Sequence, residues 1–217
     1  MRGLEKGLLL LILLLTAGTL YAVFFLVPPA VGLGYLVRIA FFHIPVAWIS
    51  VLAFLVSAVY AVRYLRHPSR HLDIVGAESA RLGLIFVLLA TASGAYFSKL
   101  TWGAYWNWDP RQTTIFVLLL IYAAYLTLRA AIPEEKRRAR VAAIYALFSF
   151  LTVPFLVFII PRFYFSLHPS PVINGSGSLD MDPLMFKVLM ISLLDMTLIY
   201  AAVLWQRVKV KEVHHET

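Results

Sequence analysis

Uncharged apolar runs alternate with short polar breaks along the whole chain. Six of the runs are long: Gly7–Val27, Ile39–Val62, Leu82–Ser98, Gln112–Leu128, Val141–Ile160 and Val188–Gln206. The ionisable side chains inside them, tyrosines aside, are His43 and Asp195. A helix crosses the hydrocarbon core of a bilayer with roughly 20 apolar residues, so each run predicts one transmembrane helix. The runs are continuous, whereas the strands of an outer-membrane barrel alternate over about 10 residues. The expected fold is an all-α integral membrane protein, a single six-span domain over residues 1–217. Composition agrees: 61% of residues are hydrophobic and 14% charged, where a soluble domain carries about a quarter charged. The first run exceeds the 7–15 residues of a signal peptide's apolar core. It closes on Val27-Pro28-Pro29 with no small-residue cleavage site, and is read as a retained anchor. The absence of cysteine excludes disulfides, thiolate metal sites and cysteine-linked haem.

Lysine and arginine set the expected orientation. With the N-terminus inside, fourteen of the 19 basic residues fall in inner segments and five in outer ones. Cytoplasmic loops carry that excess, so both termini are expected in the cytoplasm. The net charge of +8 is then a topology signal lying near anionic headgroups, and it implies no nucleic-acid partner. The inner loops are short and basic, as in His67-Pro68-Ser69-Arg70 and Glu134-Glu135-Lys136-Arg137-Arg138. The outer loops, roughly Pro28–Arg38, Lys99–Arg111 and Pro161–Lys187, hold prolines, glycines and most of the tryptophan. Asn174-Gly175-Ser176-Gly177-Ser178 reads as a flexible loop tip. Chemistry is expected on the outer side.

The second outer loop, about 99–113, is the most informative segment. Trp102-Gly103-Ala104-Tyr105-Trp106-Asn107-Trp108-Asp109-Pro110-Arg111 holds three of the five tryptophans within seven residues. If the stretch is helical, Trp102 and Trp106 share a face; if it is extended, Trp106 and Trp108 do. Either geometry lays a flat aromatic shelf at the membrane surface. An interfacial aromatic belt explains one ring per helix end, but not four rings beside Asp109 and Arg111. The sharper reading is a platform for a large, flat, apolar ligand with a carboxylate that Arg111 can pair. Asp109, standing before Pro110, also suits the N-cap of the fourth helix.

Two histidines fall on the same side. His43 lies about one turn into the outer end of the second span, and His168 in the third outer loop after Phe163-Tyr164-Phe165. His67, His71, His214 and His215 belong to inner segments and read as solvated. An imidazole inside an apolar span is a functional candidate, although His43 alone fits a helix–helix hydrogen bond equally well. Two of them flanking an aromatic loop fit the axial nitrogens of a haem iron, with Arg111 near the propionates. Arg38 and Arg162, at the same end, stand as further propionate or loop support.

The run from Trp102 to Arg111 resembles the WWD signature of haem-handling proteins in cytochrome c assembly. The six-span plan, the Arg38–Trp48 segment around His43 and the Leu167-His168 pair are similar to the CcmC-type haem exporter protein C family. That resemblance implies His43 and His168 as axial ligands. It implies Trp102, Gly103, Trp106, Trp108, Asp109 and Arg111 as the haem platform. It further implies transient binding of haem b at the outer face of the cytoplasmic (inner) membrane, toward the periplasm or cell exterior. The implied partners are a membrane-anchored haem chaperone that receives haem covalently, ATP-binding-cassette transporter subunits and a small single-span subunit. A haem-presenting module is expected rather than a hydrolytic or redox enzyme.

Two other classes compete. A proton- or ion-coupled transporter subunit would use Asp195 in span six, whose plainer role is a hydrogen bond to a hydroxyl on another span. No phosphate-binding GxxxxGK[ST] loop is present, so ATP energy would come from a partner. A scaffold would use the tryptophan loop only to dock proteins.

Overall fold

The computed structural model describes residues 2–168 and 181–213. Six helices are long and apolar enough to span a membrane, over Glu5–Leu26, Tyr35–Arg66, Arg70–Trp102, Pro110–Ala131, Glu135–Phe163 and Pro183–Val213. Each coincides with one predicted run. Among the described residues there is no strand, only a single bridge between Ala30 and Gly34. The loop tip expected at Asn174–Ser178, together with His214 and His215, lies outside the described residues.

In chain order, α1 (Arg2–Tyr21) ends in a π turn (Ala22–Leu26), and a 3₁₀ turn (Tyr35–Ile39) leads into α2 (Ala40–Arg66). Then follow α3 (Arg70–Trp102), α4 (Pro110–Ala131) and α5 (Glu135–Pro154). A second π turn (Phe155–Ile159) joins α5 to the short α6 (Ile160–Phe163), and α7 (Pro183–Val213) closes the bundle.

The helices run beyond the apolar segments because their polar ends find partners. The Ser69 side chain accepts from the Leu72 N–H at 3.4 Å and starts α3 twelve residues before Leu82. Buried Glu78 then accepts from Arg81 at 2.7 Å and from Arg207 at 2.6 Å. Asp73 holds Arg129 by two hydrogen bonds of 2.7 and 2.8 Å. At the same end Lys209 on α7 reaches Glu5 on α1 at 2.9 Å. His67 is exposed, and His71 is exposed and 2.6 Å from Glu212, in accord with the solvated reading of both.

The centre is built on α2 and α3. Their facing positions are small, with Ala53, Ser57 and Ala61 opposite Gly76, Ala80 and Gly83, which lets the backbones approach as spans do in lipid. Phe54 fills the gap over Gly83 and stacks on Tyr122 of α4, with ring centroids 3.4 Å apart. Ser79 donates to the Ala53 carbonyl at 2.6 Å and lies 2.7 Å from the Tyr200 hydroxyl, linking α2, α3 and α7. By contrast α1 packs mainly on α7 and leaves Leu9, Leu10, Leu11, Leu13 and Leu14 exposed, a lipid-facing stripe. Thr16 on α1 donates to buried Asp195 on α7 at 2.9 Å, the plainer of the two roles expected for that acid.

A Cβ at Gly83 would stand 2.4 Å from Cε1 of Phe54, and the ring, fully buried against Tyr122, has nowhere to turn. Gly83→Ala is therefore expected to lower the melting temperature in detergent, by the equivalent of about 1–3 kcal/mol for overpacking. Gly18→Ala, where nothing lies within 4 Å, leaves it unchanged or slightly raised.

Candidate functional site

At the end of the bundle carrying the tryptophan loop, a cleft of about 140 Å³ opens between α2, α3, α4 and the second π turn. Its lining brings together four of the residues singled out from sequence: His43, His168, Trp106 and Arg111. Ala47, Ala90 and Gly94 contribute small side chains to its lining, and Leu156 and Val157 of the π turn contribute larger apolar ones. Pro154 supplies no N–H to the helical ladder, and the turn after it takes the wider π spacing found at functional sites. That turn delivers α6 and the 164–168 segment to the cleft.

His43 enters from α2. Its Nδ1 is 3.0 Å from Oγ of Ser93 on α3. A Cβ at Gly94 would come within 3.0 Å of the ring at Cε1, so the glycine makes the space that the imidazole occupies.

His168 is held by the tryptophan loop. Asp109, buried, caps α4 by accepting from the Arg111 N–H at 2.9 Å, as the sequence suggested. The same carboxylate accepts from the Leu167 N–H at 2.7 Å and from the Ser166 hydroxyl at 2.9 Å. Nδ1 of His168 faces it at 3.5 Å, without a hydrogen bond. Burial opposes the charge on Asp109, but the Arg111 and Leu167 N–H groups and the Ser166 hydroxyl outweigh it and hold the carboxyl below its ordinary range. Burial pushes the His168 imidazole down, and the charge of Arg111 pushes the same way against the pull of Asp109, to about 4. His168 is thus neutral at physiological pH, the form that ligates a metal.

The tryptophans do not lie in one plane. Helix α3 ends at Trp102, and Gly103 turns the chain out at φ 82° with its N–H on the Lys99 carbonyl, so Trp102 and Trp106 share no helical face. Trp108 has φ 56°, which breaks the extended alternation. Trp102 tilts against His168 with centroids 5.5 Å apart, while Trp106 and Trp108 meet edge to face at 5.8 Å. Trp106 alone of the three lines the cleft, and Trp108 is 72% exposed. The loop is pinned from behind by residues that pattern alone does not mark. Asn107 donates to Ser98 at 2.8 Å, and Gln112 accepts from the Asn107 N–H at 2.8 Å.

Two arginines lie apart from the cleft. Arg38 sits 4.3 Å over the Tyr35 ring and near Phe24, beside the end of α1. Arg162 is exposed and donates to the Phe158 carbonyl of its own turn. Arg111 lines the cleft with a buried Nε that lacks a hydrogen-bond partner. Among the described residues no three His, Cys, Asp or Glu side chains gather as a metal cluster, so two imidazoles are the nitrogen donors this cleft offers. The sequence signals for its remaining parts are faint: Thr91, Ser93 and Gly94 form a polar, small-residue break in an otherwise apolar span.

Fold and site together define a polytopic membrane protein with a two-histidine, tryptophan-walled cleft at one membrane face. A family model described as "Heme exporter protein C" matches residues 3–217. The chain belongs to that family. Heme exporter protein C of Bradyrhizobium diazoefficiens is 32% identical over 78% of this chain and 66% of its own length. A putative cytochrome c biosynthesis ccmC-like mitochondrial protein of Marchantia polymorpha is 28% identical over 76% of this chain and 69% of its own. Heme exporter protein C of Escherichia coli K12 is 28% identical over 67% of this chain and 59% of its own. The chain thus spans about two thirds of the length of these relatives, or somewhat less.

Two outcomes follow from this geometry. Asp109→Ala removes the acceptor of the Leu167 N–H, so hydrogen exchange at Leu167 is expected to accelerate while exchange in α2 and α3 stays slow. In an NMR pH titration, His168 is expected to titrate near 4, below the 6.5 of a free imidazole; a midpoint near 6.5 would show that burial and Arg111 do not act on it.

Proposed function

We propose that this chain presents haem b at the outer face of the cytoplasmic membrane and delivers it to a membrane-anchored haem chaperone during c-type cytochrome maturation. The observation that carries the reading is the convergence of His43, His168, Trp106 and Arg111 on one cleft. The excess of Lys and Arg at the opposite end of the bundle supports an outward-facing cleft.

In this reading His43 and His168 supply neutral nitrogens to the iron, one from a span and one from a loop. Trp106 offers an apolar wall to the ring. Arg111, half-buried and with a buried Nε that lacks a partner, pairs a propionate in the manner of arginine with carboxylates. Trp102 and Asp109 hold His168 in place, and Gly103 turns the chain so that the loop reaches over. A volume of about 140 Å³ is below the roughly 300–1,000 Å³ of pockets that envelop a ligand. Such a site grips part of a macrocycle and leaves the rest open to a partner. The ATP-binding-cassette subunits and the small single-span subunit implied by the family resemblance complete the proposed assembly, and they supply the ATP-driven work for which this chain has no phosphate loop.

The test is an absorption spectrum of the purified protein, oxidised and reduced, before and after haem is added. A low-spin haem spectrum is expected in the parent protein. His43→Ala and His168→Ala should each weaken haem binding by more than the roughly 10–100-fold that outer-shell partners are worth, with Ile44→Ala as a neutral control. A parent protein that stays colourless with added haem overturns the reading and leaves a docking scaffold in its place.

A further inference from the structure

The Ser93–Gly94 pair on α3 is unassigned in the haem reading and faces one imidazole. Ser93 Oγ lies 2.8 Å from the Leu89 carbonyl and 3.1 Å from the Ala90 carbonyl. A serine carries one hydroxyl proton, and here the backbone takes it. What Ser93 then turns toward His43 is a lone pair, 3.0 Å from Nδ1. An acceptor at that distance calls for a proton on Nδ1. A neutral imidazole has one N–H, so a proton on Nδ1 leaves Nε2 bare. Gly94 fixes the distance: with a Cβ 3.0 Å from Cε1, the ring would be lifted away from the hydroxyl.

We propose that Ser93 is a positioning residue that holds His43 as the Nδ1–H tautomer, leaving Nε2 as the donor presented to the cleft. The proposal rests on the haem reading for its purpose, but the tautomer is a property of the protein alone. It also makes the two donors unequal. His43 is backed by a hydroxyl at hydrogen-bond distance, and His168 faces a carboxylate 3.5 Å away.

Ring-¹⁵N histidine NMR of the full chain in detergent micelles, without haem, reads the tautomer, and His43→Ala assigns the signal. The parent protein is expected to show Nδ1 protonated and Nε2 bare. Ser93→Ala, which favours helix and removes only the acceptor, should move His43 toward the other tautomer or a mixture. Ser93→Thr, which keeps a hydroxyl bonded to its own helix, should restore it. Haem titration of the same proteins should show affinity reduced about 10–100-fold in Ser93→Ala and recovered in Ser93→Thr. An Nε2–H tautomer in the parent, or an unchanged signal in Ser93→Ala, overturns the proposal while the haem reading stands. If the tautomer behaves as expected but the parent binds no haem, the haem reading falls, and the ligand role given to Ser93 falls with it.

Discussion

Asp109 stands where two chain segments 57 residues apart meet, and its buried carboxylate gathers the polar atoms of both. One oxygen closes the start of α4; the other takes the backbone of the loop that carries His168. In a site this dry an ionised carboxylate persists only if it is hydrogen-bonded on all sides, and here the bonds come from the parts that must be held together. Without it, the tryptophan loop and the histidine loop would keep only the ring contact between Trp102 and His168. The cleft would then keep one anchored imidazole, His43, and one held by that contact alone.

The rest of the bundle solves the same problem with neutral groups. Lipid offers no hydrogen bonds, and polar side chains inside the spans turn to one another: Ser79 bonds to Ala53 and lies near Tyr200, Thr16 bonds to Asp195 and His43 to Ser93, whereas the buried hydroxyls of Thr19, Ser57 and Tyr122 have no such partner. Small residues on α2 and α3 bring the backbones close enough for those short side chains to reach. The larger share of the charge lies at the opposite end, where Glu78 and Asp73 each hold arginine. The exposed leucines of α1 are then ordinary lipid-facing surface.

The spans, the plainer role of Asp195 and the capping role of Asp109 were legible in the sequence, because each follows from local composition or from the residue next door. The pairing of His43 with His168 was legible through topology, since an even number of crossings between them puts both at one face, and through the family resemblance of the segments around them. The tryptophan shelf was misjudged because periodicity assumes one regular backbone. Gly103 and Trp108 both take positive φ and rotate the rings out of a common plane. The roles of Ser93, Gly94 and Ser166 could not be read from pattern, since each acts on a residue at least 50 positions away in the chain or on a carboxylate in another loop.

The π turn at Phe155–Ile159 ties the cleft to chain length. Each helical residue advances the chain by about 100°, and the π spacing absorbs one residue beyond the α repeat. Four α residues therefore advance the chain by about as much as the five of the π turn. Loss of one residue there is absorbed by a return to α spacing, with α6 and His168 kept in phase. Loss of one residue from the regular part of α5 has no such reserve: everything after it turns by about 100°, and His168 swings from the cleft toward another side of the bundle although every side chain named above is still present. The orientation of the cleft is thus guarded by a segment that can give up a residue, and it is the uniform part of the helix that must keep its length.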